Sequence, residues 1–113
     1  MARTNPPFMT GVPELLLLRL LSQREMYGYE LVRQIQLVTG EAIKLGEGVI
    51  YPSLYALEKA GALKARRRKV GARERVYYSA TVKGRKRLAK LETDWERIRD
   101  AISLSGEARV DPA

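Results

Sequence analysis

The sequence has no cysteine and no histidine in 113 residues. The first absence removes disulfide frameworks, thiolate nucleophiles and cysteine-based zinc sites. The second removes the commonest general base and the commonest metal ligand. No pair of carboxylates is spaced for acid–base work, and no nucleophile has a base beside it. The expectation is a chain that is not an enzyme and that carries no cofactor and no metal. Long apolar runs are also missing. Four leucines at 15–18, then Leu20 and Leu21 after Arg19, fall far below the roughly 20 residues of a membrane span. The first eleven residues have no charged region leading into an apolar core, so no signal peptide is expected. The expected location is the cytoplasm, without a membrane partner.

Negative charge is scarce: 13 Asp and Glu face 21 Lys and Arg, for a net charge of +8. The excess is not spread. Residues 1–63 are balanced, with six residues of each sign. Residues 64–75 hold seven basic residues against Glu74, a net of +6, and residues 76–113 add +2. Three quarters of the excess therefore lies in twelve residues. A solvated lysine-rich surface would disperse its charge. This concentration points to a polyanion met at one place.

The length suits one domain, and 45% hydrophobic residues suffice for a core. Residues 1–12 contain Asn5, Pro6 and Pro7 and read as a flexible arm. Pro13 suits the first turn of a helix, and leucines at helical spacing continue it over about 13–22. A polar connector at 22–26 precedes a second helix at about 27–39. Its expected stripe is Leu31, Ile35 and Val38, with Gly40 as the stop. A third helix near 48–60 buries Ile50, Leu54 and Leu57. Pro52 pins its start close to Gly48. Two runs, 63–69 and 75–80, flank a turn at 70–74 with a central Gly71 and read as a hairpin. Thr81 is a reasonable cap for a fourth helix over 81–104. On it Leu88, Leu91, Trp95, Ile98 and Ile102 recur as a heptad seam suited to dimerisation. Residues 105–113 read as a disordered tail.

Three helices, a two-stranded wing and a long helix make a mostly α fold. It is a winged helix-turn-helix over 13–80, followed by a C-terminal dimerisation helix. The wing cations Arg66, Arg67, Arg68, Lys69, Arg73 and Arg75 are placed to meet phosphates of double-stranded DNA. With the third helix's apolar stripe inward, Gly48, Pro52, Tyr55 and Lys59 turn outward and Tyr51 flanks them. Gly48 allows close backbone approach, and the helix N-terminus favours a phosphate. Tyr51 and Tyr55 can donate to phosphates or base edges, and Lys59 can meet a phosphate. Tyr51 has a second reading, in which its ring caps the core. Trp95 also has two. It is a packed residue of the dimer seam, or one of two rings, one per subunit, that sandwich a planar aromatic or cationic effector. Two rivals remain for the whole chain: a basic RNA-binding winged helix, and a protein-interaction module that uses the heptad helix.

Several stretches carry a family resemblance: Met26-Tyr27-Gly28-Tyr29-Glu30-Leu31, Gly48-Val49-Ile50-Tyr51-Pro52-Ser53-Leu54, Leu57-Glu58-Lys59-Ala60-Gly61-Ala62-Leu63, and Arg75-Val76-Tyr77-Tyr78-Ser79-Ala80-Thr81 with Gly84. Over about 13–104 the chain resembles the short subfamily of PadR transcriptional regulators. The resemblance implies a dimeric winged-helix repressor whose helix containing Tyr51, Pro52 and Ser53 contacts operator DNA together with the basic wing. It also implies dimerisation through the last helix. Trp95 falls where multidrug-sensing members of the family carry a tryptophan. This chain departs from them in having no further aromatic residue beside Trp95 on that helix.

Overall fold

A computed structural model describes residues 8–112. The elements in order are α1 (Val12–Leu21), β1 (Met26–Tyr27), α2 (Gly28–Val38), α3 (Glu47–Lys59), β2 (Leu63–Val70), β3 (Arg73–Ala80) and α4 (Val82–Glu107). Most of the expected N-terminal arm lies outside the described residues. The helices begin and end within one or two residues of the expected places, except that α4 runs on through Glu107 and takes up the first part of the expected tail.

α1 begins where Gly11 turns at φ 84°, a left-handed conformation that only glycine adopts without strain. Pro13 then occupies the first turn, where its missing N–H leaves no bond unmade. Leu17, Leu18 and Leu21 of α1 meet Leu31 and Ile35 of α2 and Ile50 and Leu54 of α3 in a wholly aliphatic core. Among the described residues no charged side chain is buried as a whole; the Tyr78 ring is buried with its phenol, and the solvent-shielded Glu14 Oε1 is paired with Arg87.

Two expectations are corrected here. Val38 does not share the buried stripe of α2; it is 58% exposed. The helix stops at Val38, because the Thr39 hydroxyl donates to the Ile35 carbonyl at 2.6 Å and accepts from the Ile43 amide at 3.2 Å. The last position of the stripe therefore overhangs the core. The connector at 22–26 is also not wholly irregular. Met26 and Tyr27 form a strand that pairs antiparallel with β3, giving a three-stranded sheet in the order β1-β3-β2. Met26 is buried, which explains why an apolar residue stands in an otherwise polar stretch.

The wing is tighter than expected. β2 and β3 pair from Leu63↔Ala80 to Val70↔Arg73, leaving a two-residue turn, Gly71 and Ala72. Gly71 takes φ 64° at the first turn position, the requirement of a hairpin turn that follows the strand twist.

α4 is keyed to the base of the wing. The Thr81 side chain accepts from the Gly84 amide at 3.0 Å, while its hydroxyl donates to the Gly61 carbonyl at 2.6 Å. Gly84 passes so close to Ala62 that a Cβ there would overlap the Ala62 carbonyl oxygen. Further along, Leu88 and Leu91 pack against the core, and Arg19 holds Glu92 at 2.9 Å. Glu14 pairs with Arg87, and Arg85 donates to the Ser22 carbonyl at 2.8 Å. Beyond Leu91 the helix leaves the core. The radius of gyration is 17.0 Å, against roughly 13 Å for a compact domain of this length.

Candidate nucleic-acid interface

α3 presents the face that its periodicity implies. Ile50, Leu54 and Leu57 are buried, while Gly48, Pro52, Tyr55 and Lys59 are exposed. The helix starts one residue earlier than expected, at Glu47. That carboxylate stands in the first turn with no side-chain cap, so it complements the helix dipole and opposes a phosphate at the same end. Pro52 is the sixth residue of α3 and withholds an amide from the Gly48 carbonyl. Ser53 turns its hydroxyl back onto the Val49 carbonyl at 2.8 Å.

Tyr51 takes the packing role. Its ring lies over Gly28, where a Cβ would come within 2.5 Å of the phenol oxygen and 2.6 Å of Cε1. Gly28 is therefore required at the start of α2 by a side chain of α3. Burial holds the Tyr51 phenol above its ordinary pKa, and the Glu47 carboxylate pushes in the same direction. Tyr55, with its ring centroid 6.2 Å away, is the exposed member of the pair.

In the wing, strand alternation divides the cations between two faces. Leu63, Ala65, Arg67 and Lys69 share one face with Met26, Tyr78 and Ala80, and the base of that face is core. Lys64, Arg66, Arg68, Arg73, Arg75, Tyr77 and Tyr27 share the other face. The four consecutive basic residues at 66–69 thus do not form one row; they alternate.

Several of these cations already have partners. Arg66 grips Glu25 with two nitrogens, one of them Nε at 3.2 Å from Oε2, and Arg68 reaches the same carboxylate at 3.9 Å. The Arg66 hydrogen bond holds the Glu25 carboxyl below its usual range and raises the guanidinium in turn. Arg67 pairs with Glu74 at 2.7 Å. Arg68 and Arg75 stand directly opposite each other across the strands. Their guanidiniums diverge onto two rings, Arg68 at 5.5 Å from Tyr77 and Arg75 at 4.5 Å from Tyr27. Those rings meet edge to face at 5.5 Å. Cation–aromatic contact thereby offsets a like-charge pair. Among the described residues, Lys59, Lys64, Lys69 and Arg73 have no carboxylate within ion-pair distance and no ring beneath them. Sequence reasoning missed Glu25, Tyr27 and Tyr77. A two-residue strand is too short to show a period, so nothing marked Glu25 and Tyr27 as neighbours of the wing; Tyr77 was placed in its second strand but given no role there.

The heptad seam divides. Leu88 and Leu91 are half-buried against the chain's own core, whereas Trp95, Ile98 and Ile102 are 46%, 49% and 66% exposed. These three border an apolar groove of about 590 Å³ between α4 and the segment leading into α1. Phe8, Val12 and Leu15 form its opposite wall, and the lining includes the carboxylate of Asp94, which pairs with Lys90 at 3.4 Å and with Arg97 at 4.0 Å. Phe8 supplies the second aromatic ring that α4 itself lacks.

A three-helix head carrying a basic two-stranded wing, with one helix face left open beside it, defines a winged helix-turn-helix DNA-binding protein. A model of the PadR-like family of transcriptional regulators matches residues 17–90. The chain belongs to this family and is a DNA-binding transcriptional regulator. Its structure is similar to that of a transcriptional regulator from Clostridium thermocellum, with a TM-score of 0.81, 27% identity, and coverage of 89% of this chain and 96% of the other. A PadR-like transcriptional regulator from Bacillus cereus gives a TM-score of 0.78 at 26% identity, covering 92% of this chain and 100% of that one. An uncharacterised protein of Lysinibacillus sphaericus is 29% identical over 90 residues, spanning 79% of this chain and 83% of its relative. Among the described residues, no helix is long and apolar enough to cross a membrane, and no cluster of three acidic residues could hold a metal ion.

Proposed function

We propose that this regulator is a homodimeric repressor that acts in the cytoplasm on a pseudo-palindromic operator. The observation that carries the reading is the apolar stripe Trp95–Ile98–Ile102, exposed on a helix whose earlier seam residues are already covered. A second copy covers that stripe and pairs two reading heads. A two-fold dimer presents each α3 and each wing to half-sites about one helical turn apart, or a multiple of it. Lys59, Lys64, Lys69 and Arg73 neutralise phosphates, and Tyr55 on the open face of α3 adds sequence preference.

The groove beside Trp95 supports a second element of the reading. Its walls are largely apolar, with aromatic rings from Trp95 and Phe8, and the lining includes the Asp94 carboxylate. A planar aromatic cation fits this chemistry. Such an effector releases the operator to the extent that it prefers one spacing of the two heads over another.

Selecting bound duplexes from a random pool, with and without planar cationic dyes, tests both parts. The expected result is a symmetric consensus whose recovery falls when a dye quenches Trp95 fluorescence. Equal retention of structured RNA, or a consensus without two-fold symmetry, would overturn the operator reading. No quenching across the dyes would leave Trp95 as packing.

A further inference from the structure

The Glu25 carboxylate sits one residue before β1, on the same side of the sheet as Tyr27. β3 lies between β1 and β2, so the contact from Glu25 to Arg66 passes over the middle strand and ties the two outer strands together. The carboxylate is not loosely placed. Its neighbour Met26 is buried, and β1 is locked in register with Tyr77 and Tyr78. Arg66 meets it through two nitrogens, the fork geometry with which a guanidinium also takes a phosphate. Arg68 shares the same oxygen atom that Arg66 Nη2 holds.

On the DNA-binding reading above, we propose that Glu25 is a specificity-determining residue: a built-in competitor for phosphate that occupies Arg66 and draws on Arg68, and so lowers affinity for DNA of any sequence. An operator that offers further contacts through α3 holds without those two arginines. A random duplex, bound almost wholly through phosphates, loses a larger share of its attraction. The lowered Glu25 carboxyl and raised Arg66 guanidinium accord with a pair that is charged on both sides at neutral pH.

The test is a salt titration of binding to a random-sequence duplex of about 30 base pairs, for the full chain and three variants. Glu25→Gln frees Arg66 while keeping the size of the side chain. Glu107→Gln makes the same charge change at the far end of α4. The double variant Glu25→Gln with Arg66→Gln removes the freed cation. For Glu25→Gln the salt slope should steepen by about 0.9 per regained phosphate contact, close to two for a dimer, and affinity near 0.1 M salt should rise on the order of tenfold. Glu107→Gln should leave the slope unchanged, and the double variant should lose the larger part of the gain, since only the weaker hold on Arg68 remains released. Weaker binding by Glu25→Gln would mean that the carboxylate orients Arg66 for DNA, and would overturn the proposal. A Glu25→Gln slope equal to that of Glu107→Gln would overturn it too, as would a double variant that keeps the gain. A wild-type chain that binds no duplex at low salt would sink the DNA reading itself, whereas wild-type binding with an unmoved Glu25→Gln slope sinks only the role given to Glu25.

Discussion

The two halves of α4 carry one heptad pattern and meet different surroundings. In the first half Gly84 abuts Ala62, and Leu88 and Leu91 close against the core. In the second half Trp95, Ile98 and Ile102 stand open, and Gly106 has nothing within 4 Å of where a Cβ would be. The difference comes from length. α1 has 10 residues and α4 has 26, about 15 Å against 39 Å of helix. A short partner covers only the near part of a long stripe. Periodicity marks which residues face one way, and the length of the opposing element decides which of them are covered by the same chain.

The sharpest way to break this comparison is to put a methyl group into each half. Gly84→Ala drives a Cβ into a backbone carbonyl that cannot swing away, and should lower stability by about 2–4 kcal/mol. Gly106→Ala meets open space and should leave stability level or raise it by up to ~1 kcal/mol. Urea unfolding followed by circular dichroism reads both. Comparable losses at the two glycines would show that the halves are alike.

Gly28→Ala comes next in size. It collides with the ring of Tyr51, the mobile end of a side chain, so a loss of about 1–3 kcal/mol is expected. Tyr51→Leu should recover part of it, and the coupling between the two sites is read from a double-mutant cycle. Additive losses would remove Tyr51 from its packing role.

Leu91→Ala should destabilise the head by about 1–2 kcal/mol, since the side chain is only half-buried, while Ile102→Ala should stay within ~0.5 kcal/mol in the dilute monomer. Ile98→Glu with Ile102→Glu separates the two halves by a different readout. Sedimentation should shift to monomer at micromolar concentration while the melting of the head is kept. An unshifted dimer would place the interface elsewhere.

The smallest effect is one of pH. Burial raises the phenols of Tyr51 and Tyr78 above the ordinary value of 10.0. A raised folded-state pKa means that the folded chain keeps protons which the unfolded chain releases. The stabilisation is therefore complete below pH 10 and is lost as pH climbs through the raised values. Urea midpoints at pH 9 and pH 11 should differ more for the wild type than for Tyr51→Leu. Equal drops would mean that Tyr51 does not carry the effect.

Much of the head was legible in the order of residues. Ile50, Leu54 and Leu57 are buried as their spacing required, and Thr81 caps α4 through Gly84. Both are local patterns, complete within a few residues. Apart from the shorter wing turn and the longer α4, the misreadings involve distance along the chain. Glu25 and Arg66 are 41 residues apart, and Met26 becomes a strand only because β3 lies beside it. Val38 kept the right period and still overhangs, since burial depends on what lies opposite. Gly28 and Gly84 stood in the family-like motifs with no visible reason; each is required by a distant segment, the Tyr51 ring of α3 and the Ala62 carbonyl in the α3–β2 turn.

By itself the sequence determined the helices, the hairpin, the concentration of charge in residues 64–75 and the absence of thiol and imidazole chemistry. These follow from side-chain periodicity, turn chemistry and composition, which act over a few residues. Only the tertiary structure decided which wing cations are already held by Glu25, Glu74 and two tyrosine rings, and which part of the α4 stripe is left open. Charge pairing and burial depend on distances between elements, and those distances exist only once the chain has folded.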